Sequence, residues 1–154
     1  MHFRSAFLVT SMSFLAAVGM IAIAPPLVAA APASDVWDGV YTDAQSRRGA
    51  NLYLDHCSEC HAEDLSGKSA YNESPPLAGV KFRTRWDTKT LDELFSFIRT
   101  TMPKLREGGL KADEYIDIVA FLLQSNRFPA SNTNHLPMDP EVLRTIRLSK
   151  ERAR

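Results

Sequence analysis

The stretch "HCSECH" at residues 56–61 contains the only two cysteines of the 154-residue chain. Cys57 and Cys60 stand two residues apart, and His61 follows the second cysteine directly. Four kinds of site use cysteines spaced in this way: a disulfide, half of a structural zinc site, a redox-active dithiol and the attachment point of a haem. Each requires different surroundings, so the rest of the chain discriminates among them.

Three of these sites fit the rest of the chain poorly. A disulfide across so short a loop would stabilise little, because the entropic benefit falls with loop length, and it would give His61 no role. A thioredoxin-like dithiol requires a βαβ context, whereas a helix is predicted before Cys57. A structural zinc ion needs four ligands, and beyond the N-terminal segment the only histidines are His56, His61 and His135.

Covalent haem attachment uses every part of the motif. The Cys57 and Cys60 thiols can each add to one of the two vinyl groups of a haem, and the adjacent His61 can bind the iron as the proximal ligand. Short helices alone bury little apolar surface, and a large apolar cofactor would complete the core. The sequence therefore predicts one covalently bound haem c with its iron.

The N-terminal segment has the pattern of a secretory signal peptide over residues 1–33. Arg4 supplies a short positive region, residues 7–24 are apolar and uncharged, and Ala31-Pro32-Ala33 is a small-residue cleavage site. An uncleaved membrane anchor is the open alternative, because about 18–20 apolar residues can span a bilayer. In either case we expect export, and hence a periplasmic protein.

The charges of the chain balance but are unevenly distributed. Eighteen basic side chains match eighteen acidic ones, so net charge gives no sign of a nucleic-acid partner. Residues 34–64 are mainly acidic, whereas residues 81–111 hold eight basic and four acidic groups. Such a dipolar surface can orient the encounter with a partner protein, although a merely solvated surface is also compatible with it.

Hydrophobic periodicity and capping signals predict an all-α fold with three to four short helices and long loops around the haem. The helices are expected from Asp43 to His56, from Thr90 to just before Met102-Pro103, and from Ala112 to Ser125. Residues 62–80 are expected to be loop. Residues 34–129 are predicted to form one domain, and residues 130–154 a C-terminal extension with a short basic helix from Asp139 to about Arg152.

Met102 is the predicted second axial ligand of the iron. It follows an amphipathic helix in a non-helical Met-Pro turn, which leaves enough chain after His61 to pass around the haem edge. His135 and Met138 are the remaining alternatives. Two protein ligands leave no open coordination site for a substrate, which indicates an electron carrier rather than an enzyme.

These residues resemble a class I cytochrome c over residues 40–129. The resemblance rests on Gly49 and Tyr53 before the cysteine motif, on Pro75-Pro76-Leu77-Ala78-Gly79, and on Met102-Pro103 followed by the apolar helix near Tyr115. Thr101-Met102-Pro103 and Asn126-Arg127-Phe128-Pro129 are also similar to cytochrome domains that accompany quinoprotein dehydrogenases.

The resemblance implies a role for several further side chains. It implies that the Pro75 carbonyl accepts a hydrogen bond from the His61 ring and that Trp86 lies near a haem propionate. Arg85 or Arg83 could pair with a propionate, although solvent exposure is also compatible with either residue.

The predicted function is that of a periplasmic one-electron carrier. It would accept an electron from a dehydrogenase, for which a quinoprotein is one candidate, and deliver it to a downstream cytochrome or oxidase. It could also serve as the cytochrome subunit of a dehydrogenase complex. The alternative is a haem-based sensor in which Met102 leaves the iron and a small ligand binds.

Overall fold

The computed structural model describes residues 35–68 and 73–152, so the predicted signal peptide lies outside the described residues. These residues form a 3-10 turn at Val36–Asp38 and six helices, with isolated β-bridges but no strand. The helices are α1 Asp43–His56, α2 Ser58–His61, α3 Gly79–Trp86, α4 Leu91–Thr101, α5 Ala112–Ser125 and α6 Pro140–Thr145. The predicted all-α fold is confirmed. No helix in these two ranges has the length and apolar character needed to cross a membrane.

The three main helices begin and end where local sequence signals place them. Helix α1 starts after Thr42 and α4 after Thr90, each with a capping box that pairs the threonine with the side chain three residues later. Helix α4 ends at Thr101, because Met102 adopts an extended conformation before proline. The bounds of α1 and α5 are those predicted from the sequence.

Helices α1 and α5 cross in close contact at Gly49. A Cβ atom built on Gly49 would lie 1.8 Å from the carbonyl oxygen of Asp117, so only glycine allows this approach. Next to the crossing, the Arg48 guanidinium donates two hydrogen bonds to the Asp117 carboxylate, at 2.6 and 2.7 Å. The tilted rings of Tyr53 and Phe121 extend the interface, with centroids 5.2 Å apart. The crossing holds α1, which leads into the cysteine motif, in a fixed position.

Helix α3 corrects the expectation of a loop up to residue 80. Its first residue, Gly79, is preceded by Ala78, which cannot cap a helix with its side chain. The cap comes instead from Asn126, whose Oδ1 atom accepts a hydrogen bond from the Gly79 N–H at 3.0 Å. Phe82 and Trp86, four residues apart, bury one face of the helix. Because the capping residue lies 47 positions away in sequence, no local capping signal indicated the start of α3.

The C-terminal extension packs into the core of the domain. Four of its apolar side chains are almost completely buried: Leu136, Leu143, Ile146 and Leu148. The predicted helix from Asp139 to Arg152 is too long, since α6 ends at Thr145. Beyond it the backbone pairs with other segments: the Leu148 N–H donates to the Lys89 carbonyl at 2.7 Å. These groups are therefore not available for helical bonds.

Candidate haem site

One apolar cavity of about 420 Å³ lies between the helices and the loop before α3. A volume of this size is within the range of cofactor sites in proteins. Residues from α1 to α5 and from the intervening loops line it. All seven site residues predicted from the sequence are among them: Cys57, Cys60, His61, Pro75, Arg85, Trp86 and Met102.

The imidazole of His61 is held by the loop that contains Pro75. Its Nδ1 atom lies 3.0 Å from the Pro75 carbonyl oxygen, the contact that the resemblance implies. A carbonyl only accepts, so Nδ1 must carry the proton of the neutral ring and the lone pair is on Nε2. Burial lowers the pKa of His61, although the bond to Pro75 opposes the shift. The ring is thus kept in the neutral form that binds a metal.

Cys57 directly precedes α2, Cys60 lies within it, and the two cysteines form no disulfide. The His61 N–H donates to the Cys57 carbonyl at 2.9 Å, which fixes the two cysteines and the histidine on one short turn. Burial, assisted by the neighbouring Cys60, raises the pKa of the Cys57 thiol to about 11. Within residues 35–68 and 73–152 no three His, Cys, Asp or Glu side chains cluster in a way that could hold a metal ion.

Met102 lies where α4 ends, on the lining of the same cavity as His61. Its N–H donates to the Ile98 carbonyl at 2.9 Å, and its carbonyl accepts a hydrogen bond from the Tyr115 hydroxyl at 2.7 Å. The two alternative ligands lie elsewhere. His135 contacts Gln45 at 3.4 Å, Met138 is half exposed, and neither residue lines the cavity.

Trp86 and Arg85 form one aromatic and basic edge of the cavity. Trp86 is buried and packs against Phe97 with ring centroids 5.6 Å apart. The Arg85 guanidinium lies over the face of Phe97, 5.7 Å from its centroid, within cation–π range. Arg83, the other basic candidate, points its guanidinium at the Asn126 carbonyl at 3.4 Å and does not line the cavity.

Several residues that line the cavity were not predicted from the sequence to belong to the site. Ile118 and Leu122 lie on the apolar face of α5, which indicated burial but not what the face would contact. Phe97 lies outside the apolar face predicted for α4 and is 38% exposed. Tyr53 also lines the cavity, and its hydroxyl donates to the Ala62 carbonyl at 2.6 Å, directly after His61. Helical periodicity identifies such positions as core and cannot distinguish a protein core from a cofactor pocket.

The lining suits a covalently held haem. The cavity offers apolar walls for a porphyrin, two thiols on one turn for its vinyl groups, and a neutral imidazole and a thioether for its iron. The family model for "Cytochrome C oxidase, cbb3-type, subunit III" matches residues 44–122, just over half of the chain. The chain belongs to this family. It is a class I c-type cytochrome, and it carries covalently bound haem c with its iron.

The family match covers α1 to most of α5, which are the elements that surround the cavity of this cytochrome. No curated protein and no solved structure matched the chain. The family identifies the cytochrome as a haem-based electron-transfer protein rather than a catalytic enzyme, with other redox proteins as its partners.

Proposed function

We propose that this cytochrome is a periplasmic one-electron carrier whose iron is bound by His61 and Met102, with thioether links to Cys57 and Cys60. The observation that supports this most is the presence of His61 and Met102 on one cavity, with His61 held by the Pro75 carbonyl and Met102 by the Tyr115 hydroxyl. Held in this way, both side chains would stay near the iron in either oxidation state.

A closed iron site explains why the chain would carry electrons and not transform a substrate. When bound, haem supplies an iron that takes up one electron from a donor and releases it to an acceptor. Two axial protein ligands leave no coordination site for another molecule, and a thioether ligand favours the reduced iron. The apolar lining excludes water and so favours the less charged form of the centre as well.

The segment after Met102 supplies a surface for partner proteins. Leu105 is fully exposed and stands between Lys104 and Arg106. Lys104 and Leu105 also line the cavity. An exposed apolar side chain with basic neighbours fits a partner whose docking surface is apolar and acidic. We propose that a dehydrogenase, of which a quinoprotein is one kind, donates the electron and that a downstream cytochrome or oxidase accepts it.

The proposed location and domain arrangement follow from the sequence pattern. Residues 1–33 would direct export and be removed, residues 34–129 would form the haem domain, and residues 130–154 would be its extension. An exported protein enters an oxidising compartment, where two neighbouring thiols can pair in a disulfide. Thioether bonds to haem would use both thiols, so covalent attachment is compatible with export. An uncleaved segment would tether the same domain to the membrane.

The iron ligands can be tested by absorption spectroscopy of the oxidised holoprotein. Wild type should show the weak iron–sulfur charge-transfer band at the red end of the spectrum, and Met102→Ala should lack it. Met138→Ala is the matched control, because Met138 is half exposed and outside the cavity, and it should keep the band. Retention of the band in Met102→Ala would reject Met102 as the ligand. Loss of the band in Met138→Ala would then identify Met138 as the ligand instead.

A further inference from the structure

The hydroxyl of Tyr115 contacts the backbone at the proposed axial ligand. Tyr115 lies in the first turns of α5, with 1% of its surface exposed. Its hydroxyl donates to the Met102 carbonyl at 2.7 Å, which is a short and partly buried hydrogen bond. Tyr115 does not line the cavity, so its effect on the iron would have to pass through Met102.

The two main-chain hydrogen bonds of Met102 go to two different helices. The N–H bonds to Ile98 in α4, and the carbonyl bonds to Tyr115 in α5. The first bond only continues the pattern of α4, whereas the second ties the point where the chain leaves that helix to another element. The segment that follows, residues 103–109, is held by short turn bonds of its own and is mostly exposed.

We propose that Tyr115 is a positioning residue for the axial methionine. Its hydrogen bond fixes the Met102 peptide between α4 and α5, and thereby keeps the thioether at the iron. Without it, the Met102 segment would move outward with the exposed chain that follows, and other ligands would compete more successfully for the iron. The inference rests on the proposed ligation by Met102, and it adds a residue that determines how firmly the site is closed.

Tyr115→Phe removes the hydroxyl and keeps the ring. Tyr41→Phe is a matched control: Tyr41 is also 1% exposed, and its hydroxyl also donates to a backbone carbonyl, that of Phe128, at 2.7 Å. Tyr41 does not line the cavity. Both variants lose one tyrosine–carbonyl hydrogen bond of 2.7 Å, which is buried for Tyr41 and partly buried for Tyr115. The control should therefore lose at least as much global stability as Tyr115→Phe.

The readout is the binding of imidazole to the oxidised holoprotein, since imidazole can bind only where Met102 has left. We expect Tyr115→Phe to bind imidazole about tenfold more tightly than wild type, as the loss of one hydrogen bond worth about 1 kcal/mol predicts. Tyr41→Phe should bind it as wild type does. Equal affinities in Tyr115→Phe and Tyr41→Phe would overturn the role of Tyr115. Absence of the charge-transfer band from wild type would instead reject ligation by Met102 itself.

A second measurement avoids the Tyr115 variant and so does not depend on its folding. Coupling between two sites is reciprocal, so removing the Met102 side chain should in turn weaken the Tyr115 hydrogen bond. Met102→Ala keeps the carbonyl that Tyr115 contacts. In this variant the Tyr115 hydroxyl proton should exchange with water about tenfold faster than in wild type, by NMR of the reduced protein, while that of Tyr41 is unchanged. An unchanged rate at Tyr115 would overturn the inference.

Discussion

The Nδ1 atom of His61 lies 3.0 Å from the carbonyl oxygen of Pro75, so a hydrogen bond joins the imidazole to the loop before α3. The loop that provides this carbonyl is itself anchored, since the Leu77 N–H donates to the Leu65 carbonyl at 2.8 Å. The Asn126 amide nitrogen donates to the Leu77 carbonyl at 2.9 Å and ties the same loop to the end of α5. The orientation of the His61 imidazole is thus determined by the fold and not only by the Cys-x-x-Cys-His motif.

Replacing one cysteine should leave the haem attached through a single thioether. In Cys57→Ala or Cys60→Ala, one vinyl group would stay unreacted and conjugated with the ring. The main band of the pyridine haemochrome spectrum should therefore move to longer wavelength than in wild type. Ser58→Ala, within the same motif, should leave the spectrum unchanged, because the Ser58 hydroxyl only donates to the Leu54 carbonyl on the surface. Extraction of wild-type haem by acid acetone would contradict covalent attachment.

Gly49→Ala should destabilise the holoprotein by about 3 kcal/mol or more, because the new methyl group would force α1 away from the Asp117 carbonyl. Denaturant unfolding measures the change. Gly109→Ala is the control: its new Cβ would meet only the flexible, exposed side chain of Arg106, so a cost below about 1 kcal/mol is expected. Equal losses in the two variants would mean that the crossing of α1 and α5 is not the close contact described.

Leu143→Ala should lower the free energy of unfolding by about 2–5 kcal/mol, since Leu143 in the C-terminal extension is completely buried. The neighbouring Val142 is 42% exposed, so Val142→Ala should change the free energy of unfolding by less than about 0.5 kcal/mol. The comparison is made by thermal or denaturant unfolding of the two holoproteins. If Leu143→Ala were as stable as Val142→Ala, the extension would not be part of the core.

Lys104→Glu should slow oxidation of the reduced cytochrome by ferricyanide, an anion that the basic surface next to Met102 attracts. We expect a decrease of about threefold to tenfold at low ionic strength, with the difference disappearing at high salt, where charges are screened within a few ångströms. Arg47→Glu makes the same change of charge on an exposed residue that does not line the cavity. An equal decrease in that variant would show that net charge, and not this surface, controls the rate.

The sequence was sufficient for those features whose causes are local. An N-cap at Thr42 or Asp43, the capping box at Thr90 and the periodicity of α5 predicted three helices. The cysteine motif with Met102 identified residues that do share one cavity. The family match then confirmed the class of cytochrome and its covalent haem.

Features with distant causes could not be predicted in this way. The cap of α3 is the Asn126 side chain, and residues 146–148 are extended because their backbone partners lie near Lys89. The contact between Tyr115 and Met102 likewise depends on how α4 and α5 are packed. Hydrogen bonds between residues far apart in sequence leave no periodic pattern in either segment, so only the folded structure reveals them.

Exposure of the reduced holoprotein to carbon monoxide at neutral pH tests the closed iron most directly. Carbon monoxide needs a vacant coordination position, and the proposed ligation by His61 and Met102 leaves none. The account predicts little or no binding to wild type and ready binding to Met102→Ala. Rapid and stoichiometric binding to wild type would contradict the electron-carrier function and favour a haem sensor whose methionine is displaced.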